Sequence, residues 1–282
     1  MKYRKLGSTG LLVSEIGLGC EGFAEDECRN TKRLLDEAES QGINYFDLYA
    51  SDPKVRASVG EALRGRREKF MIQSHVCSVW KDGQYKRTRN IDEVKAGMEE
   101  MLSLLQTDYI DVGMIHYVDS VKDWHTVAGG PVLAYVKELK EKGVIRHIGL
   151  SSHNPEVALE AVKSGDIEVL MFSVNPCYDL QPASEDVEEL WAEKNYKEHL
   201  INMNPERQEL YETCQRLGIG ITVMKAFGGG DLLDEKLSPA GKALTVNQCI
   251  HYALTRPGVA TVLTGARSVE QLEESIAYEE AA

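Results

Sequence analysis

Residues 143–155, GVIRHIGLSSHNP, compress a turn, a strand and the start of a helix into one stretch. Gly143 reads as a C′ stop behind a helix, Ile145 to Leu150 carries the apolar character of a barrel strand, and Asn154 followed by Pro155 supplies an N-cap with proline at the first helical position. Such a unit buries its strand only if a neighbouring strand runs parallel to it and the helix folds back over the sheet.

The same unit recurs along the chain. Strands are expected at Ser14 to Gly19, Asn44 to Tyr49, Phe70 to Ser74, Ile110 to Ile115, Ile145 to Leu150, Val169 to Val174, Gly220 to Met224 and Val259 to Leu263, each followed by a loop and a helix. Ile91-Asp92-Glu93 opens an apolar-periodic run to Leu105, while Gly42 and Gly218 stop other helices. Eight such units predict an α/β fold, a (β/α)8 TIM barrel occupying residues 1–282 as one domain. Before the first barrel strand, Tyr3 to Leu6 and Leu11 to Val13 flank the turn-rich Gly7-Ser8-Thr9-Gly10, which predicts an N-terminal β-hairpin plugging the bottom of the barrel. The connection from Asn175 to Pro205 is too long for a simple loop; its amphipathic stretch Glu185 to Glu193 is expected to cover the mouth and set substrate selectivity.

Composition narrows the function. A net charge of −13 without a long basic run argues against nucleic acid and anionic membranes as partners. The start, MKYRKLGSTG, lacks the apolar core of a signal peptide, and no eighteen-residue apolar run occurs, so a cytoplasmic location is expected. Cys20, Cys28, Cys77, Cys177, Cys214 and Cys249 contain no CxxC pair, and reduced, packed thiols are expected.

Across nearly its whole length the chain resembles the aldo-keto reductases, through RKLGSTGLLVSEIGLG (4–19), INYFDLYASDPKVRASVGEAL (43–63), DYIDVGMIH (108–116), GVIRHIGLSSHNP (143–155), GIGITVMKAFGGG (218–230) and TGARSVEQLEESI (264–276). The resemblance implies a nicotinamide dinucleotide lying across the C-terminal mouth, near Gly19 and Cys20, with its carboxamide held by Ser151, Ser152 and Asn175. The glutamine that commonly follows this asparagine is Pro176 here, and Met224 stands where an aromatic often stacks on the nicotinamide. Lys225, Phe227 and Gly228 belong to a loop whose small residues let backbone amides approach a pyrophosphate. Gly265, Arg267, Gln271, Glu274 and Ser275 open the last helix and, by the resemblance, hold the adenosine 2′-phosphate of NADPH in preference to NADH.

The catalytic set departs from the family. Where the resemblance implies aspartate, tyrosine, lysine and histidine, the matched positions hold Asp47, Asp52, His75 and His116. His116 ends an apolar strand and so lies at the mouth. Tyr49, two residues beyond Asp47 on the same strand face, is a candidate for the missing phenol, with His75 as the alternative proton carrier. Plainer roles compete: Asp52 before Pro53 is a standard helix cap, His75 a satisfied buried imidazole, Tyr49 a space-filling ring, and Arg267, Gln271 and Glu274 an ordinary solvated helix start. Trp80, Tyr117 and Trp124 are candidate aromatic walls, and His153 follows the carboxamide serines.

The expected activity is NADP(H)-dependent oxidoreduction of a small carbonyl or alcohol. The alternatives are a silent dinucleotide-binding sensor and a metal-dependent hydrolase or lyase using Asp47, Asp52, His75 and His116. A bacterial branch resembled through GLSSHNP, VMKAFGGG and YALTRPGV carries a ferredoxin-like tail; were one to follow Glu279-Glu280-Ala281-Ala282, an iron–sulfur electron partner would join the mechanism.

Overall fold

Alternation of inward and outward side chains organises the computed structural model of the chain, which describes residues 1–24, 29–186, 188–189 and 202–281. Strands β1 (Tyr3–Lys5) and β2 (Leu12–Ser14) pair antiparallel as the expected hairpin. Then β3 (Ile16–Leu18) leads to α1 (Arg29–Ser40), β4 (Tyr45–Leu48) to α2 (Pro53–Ala62), and β5 (Met71–Val76) to a second hairpin, β6 (Ser78–Lys81) and β7 (Gln84–Arg87), before α3 (Ile91–Leu105). Next come β8 (Ile110–Ile115) with α4 (Val121–Ala128) and α5 (Pro131–Glu141), β9 (Ile145–Ser152) with α6 (Pro155–Lys163), and β10 (Val169–Ser173) with α7 (Pro205–Leu217). The circuit ends with β11 (Gly220–Met224), α8 (Val246–Leu254), β12 (Val259–Thr264), α9 (Val269–Ile276) and α10 (Tyr278–Ala281).

Eight strands, β3, β4, β5, β8, β9, β10, β11 and β12, close in that order into a parallel barrel, with Val262 of β12 opposite Ile16 of β3. All eight expected strands are present, β8 and β11 with the expected ends and the others with shifted ones. Ser14 pairs with Tyr3 in the first hairpin instead of joining the barrel, and β9 runs on to Ser152.

Two apolar compartments follow from the alternation. Val112, Met114, Val169, Met171 and Leu263 pack with Leu6 and Val13 of the first hairpin, while Phe46, Leu48, Ile72 and Val223 pack with the helices. Leu6 is fully buried, and the Ser8 amide donates to the Gly218 carbonyl at 2.7 Å beside the start of β11, so the hairpin closes the end opposite the mouth. Asn90 and Asn154 cap α3 and α6 through their side-chain oxygens, and Gly42, Gly143 and Gly218 follow helices with positive φ.

The β6–β7 hairpin escaped the strand count. Its two-residue turn, Asp82-Gly83, has φ of 53° and 76°, the mirror-image geometry that matches strand twist and that Asp-Gly favours. Glu93, in the first turn of α3, clasps both strands: the carboxylate accepts from Lys81 Nζ at 2.7 Å, Lys86 Nζ at 2.8 Å and, just past β7, Thr88 Oγ1 at 2.6 Å. These three donors, Lys81 foremost, hold the Glu93 carboxyl down at about 2.

The expected covering stretch, 185–193, falls largely on residues 187 and 190–193, outside the described residues. Among the described residues no helix is long and apolar enough to cross a membrane.

Candidate active site

Neighbouring strands β4, β5 and β8 deliver the polar side chains at the mouth. Inward positions alternate Tyr45 and Asp47 on β4, Gln73 and His75 on β5, and Val112 and Met114 on β8, with His116 continuing the last series one residue past the strand. Asp47 Oδ1 receives Gln73 Nε2 at 2.7 Å and faces His75 Nε2 at 2.9 Å. His75 Nδ1 lies 2.6 Å from His116 Nδ1, and His116 Nε2 lies 2.8 Å from the hydroxyl of Tyr85 on β7. Beneath them, Tyr45 and Thr222 hydroxyls donate to Gln73 Oε1 at 2.8 and 3.0 Å, fixing which way the Gln73 amide points.

A carboxylate at Asp47 fixes the proton positions along this row. It accepts from His75 Nε2–H, leaving His75 Nδ1 to accept from His116 Nδ1–H, and His116 Nε2 to accept from the Tyr85 hydroxyl. Burial first, then His75 and Arg89, drives the His116 imidazole well below its ordinary pKa, so the neutral ring is favoured. Burial also raises the Tyr85 phenol, with Arg87 and Arg89 opposing.

Two cavities open at the mouth. The first, about 350 Å³, is lined by Gly19, Asp47, Tyr49, His75, Tyr85, His116, Tyr117, Ser151, His153 and Met224 among others. The second, about 320 Å³, is bounded by Phe227, Gly229, Gly230, Gly265, Arg267, Gln271, Glu274 and Ser275. They share Glu21, Lys225 and Leu263.

Several expected site residues are used elsewhere. Asp52 does not line either cavity; its Oδ1 accepts from the Lys54 amide at 2.8 Å and caps α2. Ser152 is fully buried and donates to Asp119 Oδ1 at 3.0 Å, so Ser151 alone of the serine pair faces the cavity. The Asn175 amide is spent on backbone, donating to Lys225 O after β11 and accepting from the Cys177 and Tyr178 amides of its own loop. Cys20 is buried behind the end of β3, its thiol pushed up by burial, and Gly228 lies beneath the loop that Gly229 and Gly230 expose. Trp124 belongs to the core.

The metal reading is corrected. Among the described residues no group of three or more ligand side chains could hold a metal ion, because His75 turns its nitrogens to Asp47 and His116 while Asp52 caps a helix.

Sequence reasoning missed Gln73, Tyr85, Glu21 and Asp119. The alternation that aims His75 inward also aims Gln73 one layer below, and Asp82-Gly83 announces the hairpin that carries Tyr85. Asp119 holds His153 Nδ1 at 2.8 Å; although burial raises its carboxyl, His153 brings it below the ordinary range. Nothing in the sequence singled out Glu21.

The second cavity suits an anionic dinucleotide. Gly229 and Gly230 take φ of 74° and 107°, which only glycine adopts freely, with open space where a side chain would project. The N-terminus of α9 and Arg267 supply positive potential. Among the described residues Glu21 Oε2, buried at the junction, has no hydrogen-bond partner, and ribose hydroxyls or a carboxamide N–H would supply a donor. Burial raises the Glu21 carboxyl, and Asp47 adds to this against its own backbone amide and Arg267, which eases its approach to phosphates.

If Asp52 acts only as a cap, Asp52→Ala lowers stability by about 1 kcal/mol and leaves turnover nearly unchanged. Chemical denaturation beside steady-state kinetics checks this; a hundredfold loss of kcat would return Asp52 to proton transfer.

A parallel barrel with proton-carrying side chains and an anion-suited loop at its C-terminal mouth defines a barrel enzyme. More narrowly, the chain belongs to the aldo/keto reductase family, whose profile matches residues 15–247. It is 31% identical to the oxidoreductase YqkF of Bacillus subtilis over 98% of this chain and 90% of that protein. It is 25% identical to an L-galactose dehydrogenase of Arabidopsis thaliana, over 98% and 88%. Among solved structures, the holo form of the aldo-keto reductase AKR11C1 from Bacillus halodurans superposes with a TM-score of 0.78 at 27% identity, covering 100% of this chain and 92% of that one.

Proposed function

We propose that the protein is an NADP(H)-dependent oxidoreductase acting on a small carbonyl or the corresponding alcohol. The observation that carries this reading is the junction of the two cavities at Glu21, Lys225 and Leu263: one holds proton-carrying groups, and the other the glycine loop, Arg267 and a helix N-terminus. Arg267 and the start of α9 would hold the 2′-phosphate, the Phe227–Gly230 loop the pyrophosphate, and Ser151 the carboxamide. A bound nicotinamide supplies or accepts the hydride. Asp47, His75 and His116 manage the proton at the substrate oxygen, and Met224, Tyr117 and Leu263 give that cavity apolar walls that limit water.

The relatives support the same chemistry, one being named as an oxidoreductase and another as a dehydrogenase of a sugar. Fluorescence titration with NADPH and NADH, followed by a panel of carbonyls, tests the reading. NADPH binding with oxidation is expected. Binding without turnover would favour a dinucleotide sensor, and no binding of either nucleotide would overturn the cofactor assignment.

A further inference from the structure

Tyr85 is the point at which the buried polar row reaches the substrate cavity. Behind it, Asp47 is 1% exposed, His75 2% and His116 7%, whereas Tyr85 is 47% exposed while its hydroxyl rests on His116 Nε2. His116 therefore does not present a free Nε2 to the cavity; it presents Tyr85. The barrel has no tyrosine at position 52, and Tyr49, though in the same cavity, lies outside this row of hydrogen bonds.

The two rings pack edge to face at 5.7 Å, and Ser78 Oγ ties the start of the hairpin to the Tyr49 carbonyl at 3.0 Å. Arg87 donates from the end of β7 to the Tyr117 carbonyl at 2.8 Å. With Glu93 holding Lys81, Lys86 and Thr88, the hairpin that carries this phenol is tied at several points. A hairpin without such ties is only marginally stable in water.

Resting on the oxidoreductase reading above, we propose that Tyr85 is the catalytic phenol, exchanging the substrate proton through a relay of His116, His75 and Asp47. In carbonyl reduction the substrate carbon gains a hydride from the reduced dinucleotide, and the carbonyl π pair moves to oxygen. That oxygen bonds to the Tyr85 proton as the phenol O–H breaks. Tyr85 takes the proton of His116 Nε2, His116 Nδ1 takes that of His75 Nδ1, and His75 Nε2 takes that of the Asp47 carboxyl. One hydride and one proton reach the substrate, and Asp47 is left as a carboxylate; after product leaves, the exposed Tyr85 oxygen takes a proton from water as its own passes to His116, and the reverse shifts reload Asp47. Alcohol oxidation runs the same shifts backwards, starting from the carboxylate arrangement.

Each imidazole gains one proton as it loses another, so positive charge need not settle on His116. This matters because His75, His153, Arg87, Arg89, Tyr117 and Tyr85 all face that ring, and its cationic neighbours oppose an imidazolium. The relay hands on its proton as one unit. Reduction needs its proton-loaded form and slows as pH rises, whereas oxidation needs the unloaded form and quickens.

Tyr85→Phe keeps the ring and deletes the hydroxyl. Wild type and variant are compared by NADPH titration, by reduction and oxidation rates across pH, and by imidazole nitrogen NMR of the nucleotide-free proteins. The expected result is a Kd for NADPH within about threefold of wild type, a kcat lower by about 10²–10⁴, and a flattened pH profile. Without nucleotide, the His116 Nε2 resonance should shift and His75 should respond through the row. A kcat within about threefold of wild type, with the same pH profile, would overturn the role of Tyr85 and leave the oxidoreductase reading standing. Unchanged His116 and His75 resonances would overturn the relay. Wild-type protein that fails to bind NADPH, or binds it without turnover in either direction, would overturn both.

Discussion

Asp47→Asn should lower kcat by about 10³ while leaving the affinity for NADPH close to that of the wild type. Asparagine preserves the shape and can still accept from Gln73 Nε2 and His75 Nε2 at its oxygen, so packing survives. The negative charge that selects the His75 tautomer is lost, as is the site on which the travelling proton comes to rest. Because Asp47 is 1% exposed, water cannot replace that charge. Single-turnover kinetics with prebound nucleotide separates the outcomes: a slow chemical step with unchanged Kd supports the proton role, and an unchanged chemical step would refute it.

Arg267→Ala should weaken NADPH binding by about 10- to 100-fold, corresponding to the roughly 1.5–3 kcal/mol of a charge-assisted hydrogen bond, and should leave NADH binding nearly unaltered. Arg267 lines the second cavity just before the Ser268 cap of α9, where side-chain charge and helix dipole act in the same direction. The measurement is the ratio of the two dissociation constants at fixed salt, since screening weakens exposed phosphate contacts. Equal losses for both nucleotides would mean that Arg267 serves the pyrophosphate or the helix start instead of a 2′-phosphate.

The barrel was legible because its signals are local. Gly143, Asn154 and Pro155 punctuate one unit within thirteen residues, and the alternation through Val112, Met114 and His116 fixes a direction as well as a strand. Candidate positions were less legible than candidate strands. A matched position predicts where Ser152 and Asn175 begin, but their polar atoms went to the nearest competing partners, Asp119 and the amides of residues 177 and 178. Asp52 shows the same competition, settled in favour of the helix start that Pro53 announces. The Tyr85–His116 contact joins a side chain of the β6–β7 hairpin to one at the end of β8, and no periodicity in either segment encodes such a meeting.

The turn at Asp82-Gly83 has an evolutionary consequence. If the working phenol rides on residues 78–87, it is not tied to any barrel strand, and the scaffold can lose a tyrosine and a lysine at the mouth without losing the reaction. Such an insert behaves as an exchangeable cartridge: relatives could swap it, lengthen it or recolour its tip while the buried imidazoles stay in place. It is also fragile in one respect. Strand side chains alternate, so a single-residue deletion between Ser78 and Tyr85 would turn the phenol outward and aim a neighbour at the cavity. Insertions and deletions in this segment should therefore be tolerated in pairs, and an odd change would mark a lineage that has abandoned the chemistry.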